Sequence, residues 1–284
     1  MTFYRVVSDR LRKKWFFIDT GSHTPSYNMA LDDYLLERGR QNGQLPVLRF
    51  YGWNPPGLSI GYFQKTTGRI NRAGVAAHGF ELVRRLTGGQ AVLHHDELTY
   101  SVIISESDPS MPHSVVGAYR VLSRGLLEGY RNLGLQAELA IPDSSLQKAR
   151  EHSPVCFEEA SWYELVVAGR KAAGSAQTRH HGMILQHGSI PLHTDPDELF
   201  DCFDYPSARV RTRAQAAFGD KAIAIDEAIG QRVSLETVKT AFYHGFETGL
   251  NITFQRLELS AEDQRAVKRL AEEKYASELW NYSR

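Results

Sequence analysis

Residues 84–101, RRLTGGQAVLHHDELTYS, decide how this chain is read. Two short apolar runs, FELVRRL at 80–86 and QAVLHH at 90–95, flank Gly88 and Gly89 and read as strands joined through a tight turn. Paired glycines let a backbone approach a ligand closely, and turn amides of this kind bind an anion or a carbonyl. Arg84 and Arg85 stand immediately before them, where guanidinium groups could hold a phosphate or carboxylate. A plain hairpin turn with exposed arginines fits the same letters.

Around this block the pattern is strand-rich first and helical later. A strand at 15–18 precedes a helix capped by Ser26, with Tyr27, Ala30, Leu31, Tyr34 and Leu35 on one face and a stop near Gly39. VLRFYGW at 47–53, LSIGYF at 58–63 and LTYSVII at 98–104 read as further strands, and a second helix spans 114–132, closed by Gly134. WYELVVAGRKAAGSAQ at 162–177 reads as a hairpin turning at Ala168-Gly169, followed by the strand GMILQHGSI at 182–190. From Asp195 onward helices dominate, with further starts near Ser234 and Ser260. The grouping predicts an α+β fold with a mixed sheet and a helical C-terminal part. A basic extension at 1–14, a catalytic unit at 15–250 and a helical tail at 251–284 packed on that unit complete the expected organisation.

The 284 residues carry 33 Lys plus Arg and 33 Asp plus Glu, so no global field draws the molecule to nucleic acid or to a membrane surface. Two cysteines, Cys156 and Cys202, cannot build a disulfide framework and point to a reducing, cytoplasmic setting. No apolar run reaches the length of a membrane span, and the basic leader lacks the apolar centre of a secretory signal. HExxH, CxxC and calcium-loop spacings are absent, as are GxxxxGK and GxGxxG phosphate loops and the GxSxG elbow. His94-His95 and His180-His181 alternate faces in a strand and cannot easily chelate one ion.

Cys156 sits in SPVCFEEASW beside Pro154, in a loop where a reactive thiol belongs, although a free cysteine is also commonly a small buried plug. Cys202, in LFDCFDY beside Leu199 and Phe203, reads as core. Lys171 lies just past the hairpin turn among Gly169, Gly174 and small Ala and Ser residues, which leave room for a ligand; a solvated turn lysine is the plainer alternative. Ideal hairpin pairing sets Lys171 opposite Val166 and leaves Cys156 beyond the far end. Only a folded-back loop would bring thiol and amine together.

Taken together, RRLTGGQAVLHHDELTYS, GRKAAGSAQ and HGSI resemble the arginine–glycine–histidine and lysine blocks of the lipoate–protein ligase, biotin ligase and lipoyl-transferase superfamily. FYGWNPP, SIGYFQ, VCFEEASWYELVV and the ending ASELWNYSR are similar to its Gram-positive octanoyltransferase branch, from about residue 15 to the end. The resemblance implies a class II synthetase and biotin ligase type of fold. It implies that Cys156 carries the acyl group as a thioester and that Lys171 keeps the thiol ionised. Arg85, Thr87, Gly88, Gly89 and His94 would line the acyl and carbonyl pocket, and Gly174, Ser175, Ala176, His187 and Gly188 would close it. Gln90 departs from the third glycine that ligases often have, which weakens adenylate cradling without harm to a thioester route.

The implied reaction passes octanoyl from octanoyl-acyl carrier protein to the lysine of the glycine cleavage H protein or another lipoyl domain, with no ATP, metal or other cofactor. A monomer is expected. Three alternatives stay open on the sequence: an ATP-dependent lipoate–protein ligase, an octanoyl amidotransferase between lipoyl domains, and a non-catalytic acyl or lipoyl-domain binder. Arg209, Arg211 and Arg213 are candidates for docking an acidic carrier.

Overall fold

The computed structural model describes residues 12–43, 45–140 and 164–283. Cys156 lies outside the described residues, as does most of the basic leader. β1 (Lys13–His23) pairs in parallel with β2 (Val47–Trp53) on one side and β11 (Ile252–Arg256) on the other. β6 (Glu97–Ser105), β10 (Met183–Pro191), β9 (Arg170–His180), β8 (Glu164–Val167) and β7 (Ala137–Ala140) continue antiparallel. The result is a mixed eight-stranded sheet of order β11-β1-β2-β6-β10-β9-β8-β7. A second sheet orders β4 (Glu81–Arg84), β3 (Gly57–Ile60) and β5 (Val92–His94) as β4-β3-β5. The architecture is α+β, as the grouping of strands and helices implied.

Alternation along the central strands divides the core. Leu48, Phe50, Tyr100, Val102 and Ile104 face α3 (Val115–Asn132) and α7 (Leu235–Leu250) with Leu122, Leu126, Phe242 and Phe246. Val47, Tyr51, Ile103 and Leu185 face the other way, onto α1 (Pro25–Asn42) with Met29, Leu31 and Leu35. The small sheet has its own core of Leu58, Ile60, Phe200, Cys202 and Phe203. Helices α3 and α7 approach so closely that a Cβ on Gly245 would stand 2.4 Å from the Gly129 backbone nitrogen. Because that neighbour is backbone and cannot swing away, Gly245→Ala is expected to cost about 1–3 kcal/mol of stability. Urea denaturation measures it, and an unchanged midpoint would remove the close-packing argument.

The helix limits shift from the sequence reading for physical reasons. Thr24, not Ser26, caps α1: its hydroxyl accepts from the Tyr27 amide, and Pro25 takes the first turn. The helix runs through Gly39, whose missing Cβ makes room for the Met183 methyl, and ends at Gly43 in the left-handed conformation. The tail expected to be helical from 251 begins instead with strand β11, where Ile252 is buried and Phe254 half-buried against the main sheet. Its helices start at α8 (Ala261–Leu270), capped by Ser260 in a box with Asp263.

Candidate active site

Register explains how residues distant in sequence meet. β2, β6 and β10 align Arg49 with Ser101 and Ser101 with His187, and β9 sets Ala176 beside His187. Two residues along on the same face, Tyr51, Thr99, Ser189 and Gly174 form a second row. This face lies under α1, which lowers Asp32 onto the first row. The twin-glycine turn comes in from the small sheet. A Cβ on Gly61 would sit 1.9 Å from the Gly89 carbonyl oxygen, so only glycine permits that approach.

Between the sheets lies a narrow pocket. Arg85, His94, Gly174, Ser175, Ala176, His187 and Gly188, all named from the sequence, line it together. Met29, Tyr51, Trp53, Ser59, Val92, Thr99 and Ser189 complete its wall. Thr87 reaches the pocket through His187, 2.6 Å from its Nε2, and Gly88 gives its carbonyl to Arg85 at 2.8 Å. Gly89 is exposed at the turn, with φ +90. Lys171 stands further along β9, nine-tenths buried and better, with its Nζ 3.1 Å from Glu164 Oε1. It pairs with Val166, as ideal hairpin geometry required, and the turn places Ala168 and Gly169 at positive φ. A larger recess of about 660 Å³ lies beyond Val92, floored by Ala91, Leu93, Leu199, Phe218 and Ile223. It holds none of the candidate site residues named from the sequence, so the narrow pocket is the one that gathers them.

The arginine pair is engaged by the protein itself. Arg84 donates to the carbonyls of Gly61, Gln64 and Asn281, tying the C-terminal residues to the β3 loop. Arg85 donates to Ser59, Thr87, Gly88 and Gln90 and so holds the glycine turn in shape. Both guanidinium groups thus organise backbone, a different task from the anion clamp the letters allowed. Cys202 is fully buried with its thiol 3.3 Å from the Glu198 carbonyl. Burial, with Asp201 and Glu198 nearby, pushes its pKa up to about 12, so it is no nucleophile. His94 points in and His95 out, as strand alternation demands, and no group of three metal-ligating side chains occurs among the described residues.

Two buried carboxylates escaped the sequence reading. Asp32 accepts from Arg49 at 2.8 Å, Ser101 at 2.8 Å, Tyr51 at 3.1 Å and His187 at 3.3 Å. Burial raises its carboxyl pKa, but the Arg49 charge and the His187 and Ser101 bonds outweigh that and hold it below the ordinary value. Glu97 accepts from His94 at 2.7 Å and from Thr99 and Ser189. Their signal was present: Asp32 falls among the apolar positions of a helix and Arg49 inside an apolar strand, where an unpaired charge is prohibitively costly.

His187 is lowered from its ordinary pKa mainly by burial, although Asp32 pulls it up and Arg85 and His94 push it down. The sign follows from linkage. A histidine held neutral in the folded state contributes fully above its unfolded pKa of about 6.5, and the contribution is lost as pH falls from there toward the folded value. Urea midpoints are therefore expected to drop between pH 7 and pH 5, and less so in His187→Gln. Equal slopes in the two proteins would refute that origin.

Residues 24–247 match the family profile of the lipoyl protein ligase A/B catalytic domain. The chain belongs to the lipoyl protein ligase A/B family. Within it, the chain is 54% identical over 276 residues to octanoyltransferase LipM of Bacillus subtilis, covering 96% of this chain and 99% of that one. It is 53% identical over the same shares to octanoyltransferase LipM of Geobacillus kaustophilus. Among solved structures, the bi-partite lipoate protein ligase of Thermoplasma acidophilum superposes with a TM-score of 0.77 at 24% identity, covering 95% and 96% of the two chains, a likeness of fold. A lipoate-protein ligase A bound with ATP gives 0.73 at 25% identity over 96% and 99%. The α+β architecture of this chain is that of these lipoate–protein ligases.

Proposed function

We propose that the protein is an octanoyltransferase of protein lipoylation, taking octanoyl from octanoyl-acyl carrier protein and delivering it to a lipoyl-domain lysine through a Cys156 thioester. The observation that carries this reading is the likeness to octanoyltransferases over nearly the whole chain, joined to one narrow pocket that gathers the glycine, histidine and lysine-strand residues. Thiolate attack on the carrier thioester releases the phosphopantetheine thiol; the deprotonated acceptor lysine then attacks the enzyme thioester and forms an amide. The first exchange is nearly isoenergetic and the second runs downhill, so the route calls for no ATP. No helix among the described residues is long and apolar enough to cross a membrane.

Lys171, paired with Glu164 at 3.1 Å, is suited to lowering the pKa of a thiol folded back onto it, from about 8.5 in an unperturbed cysteine. Lys171→Ala is expected to move the pH profile of Cys156 alkylation to higher pH and slow acylation on the order of a hundredfold. A superimposable profile would end this role. On α5 (Ala208–Phe218), Arg209 and Arg213 are exposed while Arg211 is held by Asp201 at 2.6 Å. The exposed pair is the docking charge for an acidic carrier. Arg209→Gln with Arg213→Gln should flatten the salt dependence of transfer, and an identical slope would exclude it.

Intact-protein mass spectrometry with octanoyl-acyl carrier protein, without ATP, tests the reading. A gain of one octanoyl group supports it. No gain, with labelling only when lipoate and ATP are supplied, would place the protein with the ATP-dependent ligases instead.

A further inference from the structure

The pocket is bounded by a hydrogen-bonded chain that runs from one buried carboxylate to the other. Asp32 meets His187 Nδ1, His187 Nε2 meets Thr87, and Thr87 meets Arg85 Nε at 3.1 Å. Arg85 Nη1 then reaches the Ser59 hydroxyl at 3.2 Å, Ser59 meets His94 Nε2 at 2.8 Å, and His94 Nδ1 meets Glu97. The two arms are alike: carboxylate, imidazole, hydroxyl, joined at one guanidinium.

Donor and acceptor capacity fixes the direction of every proton. Arginine has no lone pair, so it donates to both hydroxyls. An ionised carboxylate has no proton, so each Nδ1 is the donor toward Asp32 and Glu97. On a neutral ring each Nε2 is then an acceptor, filled by the hydroxyl of Thr87 or Ser59. The charges also close: Arg49 and Arg85 offset Asp32 and Glu97 when both imidazoles are neutral, and Arg49 touches Asp32 directly. A proton on either ring would leave a surplus buried charge and reverse the bond at Nε2, turning the hydroxyl proton away from the ring. Trp53 stacks on His94 at 4.1 Å and 11°, holding its plane.

We infer that Asp32 and Glu97 are positioning residues: they lock His187 and His94 as neutral Nδ1–H tautomers, which turn the Thr87 and Ser59 hydroxyls toward the rings and leave Arg85 aimed at the glycine turn. Arg85 spends its remaining N–H groups on the Gly88 and Gln90 carbonyls at 2.8 and 2.7 Å, so the shape of the turn beside the acyl group is set from both carboxylates. This rests on the acyl-transfer reading for its kinetic part only; the tautomers are a property of the protein alone.

Long-range proton–nitrogen NMR correlation of the 15N-labelled protein reads the tautomers directly. At pH 8, where an ordinary imidazole is neutral, both rings should carry their proton on Nδ1 and leave Nε2 as the acceptor. In Asp32→Asn, the acid's four donors cannot all be met by one amide oxygen, and the amide nitrogen facing His187 inverts that ring to Nε2–H. Thr87→Val breaks the same arm without leaving Arg49 unmatched, and so serves if the asparagine variant fails to fold. Either change should lower kcat for octanoyl transfer roughly tenfold with KM little altered, and Glu97→Gln, which retains an oxygen for Nδ1–H, should recover most of the rate lost in Glu97→Ala. A wild-type ring that carries its proton on Nε2 at that pH overturns the inference. Correct tautomers with an undiminished rate in every variant overturn the positioning role while leaving acyl transfer intact. Correct tautomers in a wild type that transfers no octanoyl would instead remove the acyl-transfer reading.

Discussion

Cys156→Ala is expected to form no octanoyl adduct and to lose transfer by a factor on the order of 10⁴ or more. A covalent relay divides one difficult displacement into two, and removing the nucleophile returns the reaction to direct attack by the acceptor lysine on the carrier thioester. Binding and pocket shape survive, so a small residual rate above solution is expected rather than zero. The control lies in the chain itself: Cys202, with its thiol buried and its pKa pushed up, should take no octanoyl in either protein. Peptide mapping after acylation separates the two thiols. Octanoyl on Cys202, or transfer by Cys156→Ala within tenfold of wild type, would remove the relay from the mechanism.

The second large effect concerns stability. Asp32→Ala leaves the fully buried Arg49 guanidinium without its carboxylate and strips acceptors from Ser101, Tyr51 and His187. Breaking a buried pair from one side typically costs about 3–5 kcal/mol, a large share of a domain's total stability. Arg49 also stacks over Tyr51 at 3.8 Å, so the loss propagates along the strand row that forms the pocket face. Because Asp32 has a folded pKa below its unfolded value of about 4, its contribution is complete above that pH and disappears as the solution is acidified. Chemical denaturation at pH 7 should therefore show a much lower midpoint in the variant, and the gap should narrow in acid. A gap that persisted unchanged below pH 3 would mean that packing, rather than the carboxylate charge, carries the effect.

Local pattern carried much of this fold. Short apolar runs marked β2, β6 and β10, a serine opened α3, and Ala168-Gly169 turned the β8–β9 hairpin where expected. The block at 84–101 and strands β9 and β10 supplied the seven lining residues named from the sequence, because small residues and buried histidines leave a visible trace in the letters. Chain ends of elements were less legible. Thr24 and Ser26 are both good caps and only the entry angle of the chain selects between them, while a glycine at 39 serves packing against Met183 rather than termination.

By itself, the sequence determined the α+β class, the pairing of Lys171 with Val166 and the burial of Cys202. Each follows from periodicity or backbone freedom within a few neighbouring residues. The twin-glycine segment, read as a tight turn, instead crosses over β3 to join β4 to β5. The tertiary structure decided that Arg49, Ser101 and His187 share one row, that α1 presses Asp32 onto it, and that Arg85 joins two carboxylate–histidine arms. Those facts depend on strand order and register across the sheet. No local preference encodes them, since a charge in an apolar segment announces that it needs a partner but not which distant strand provides it.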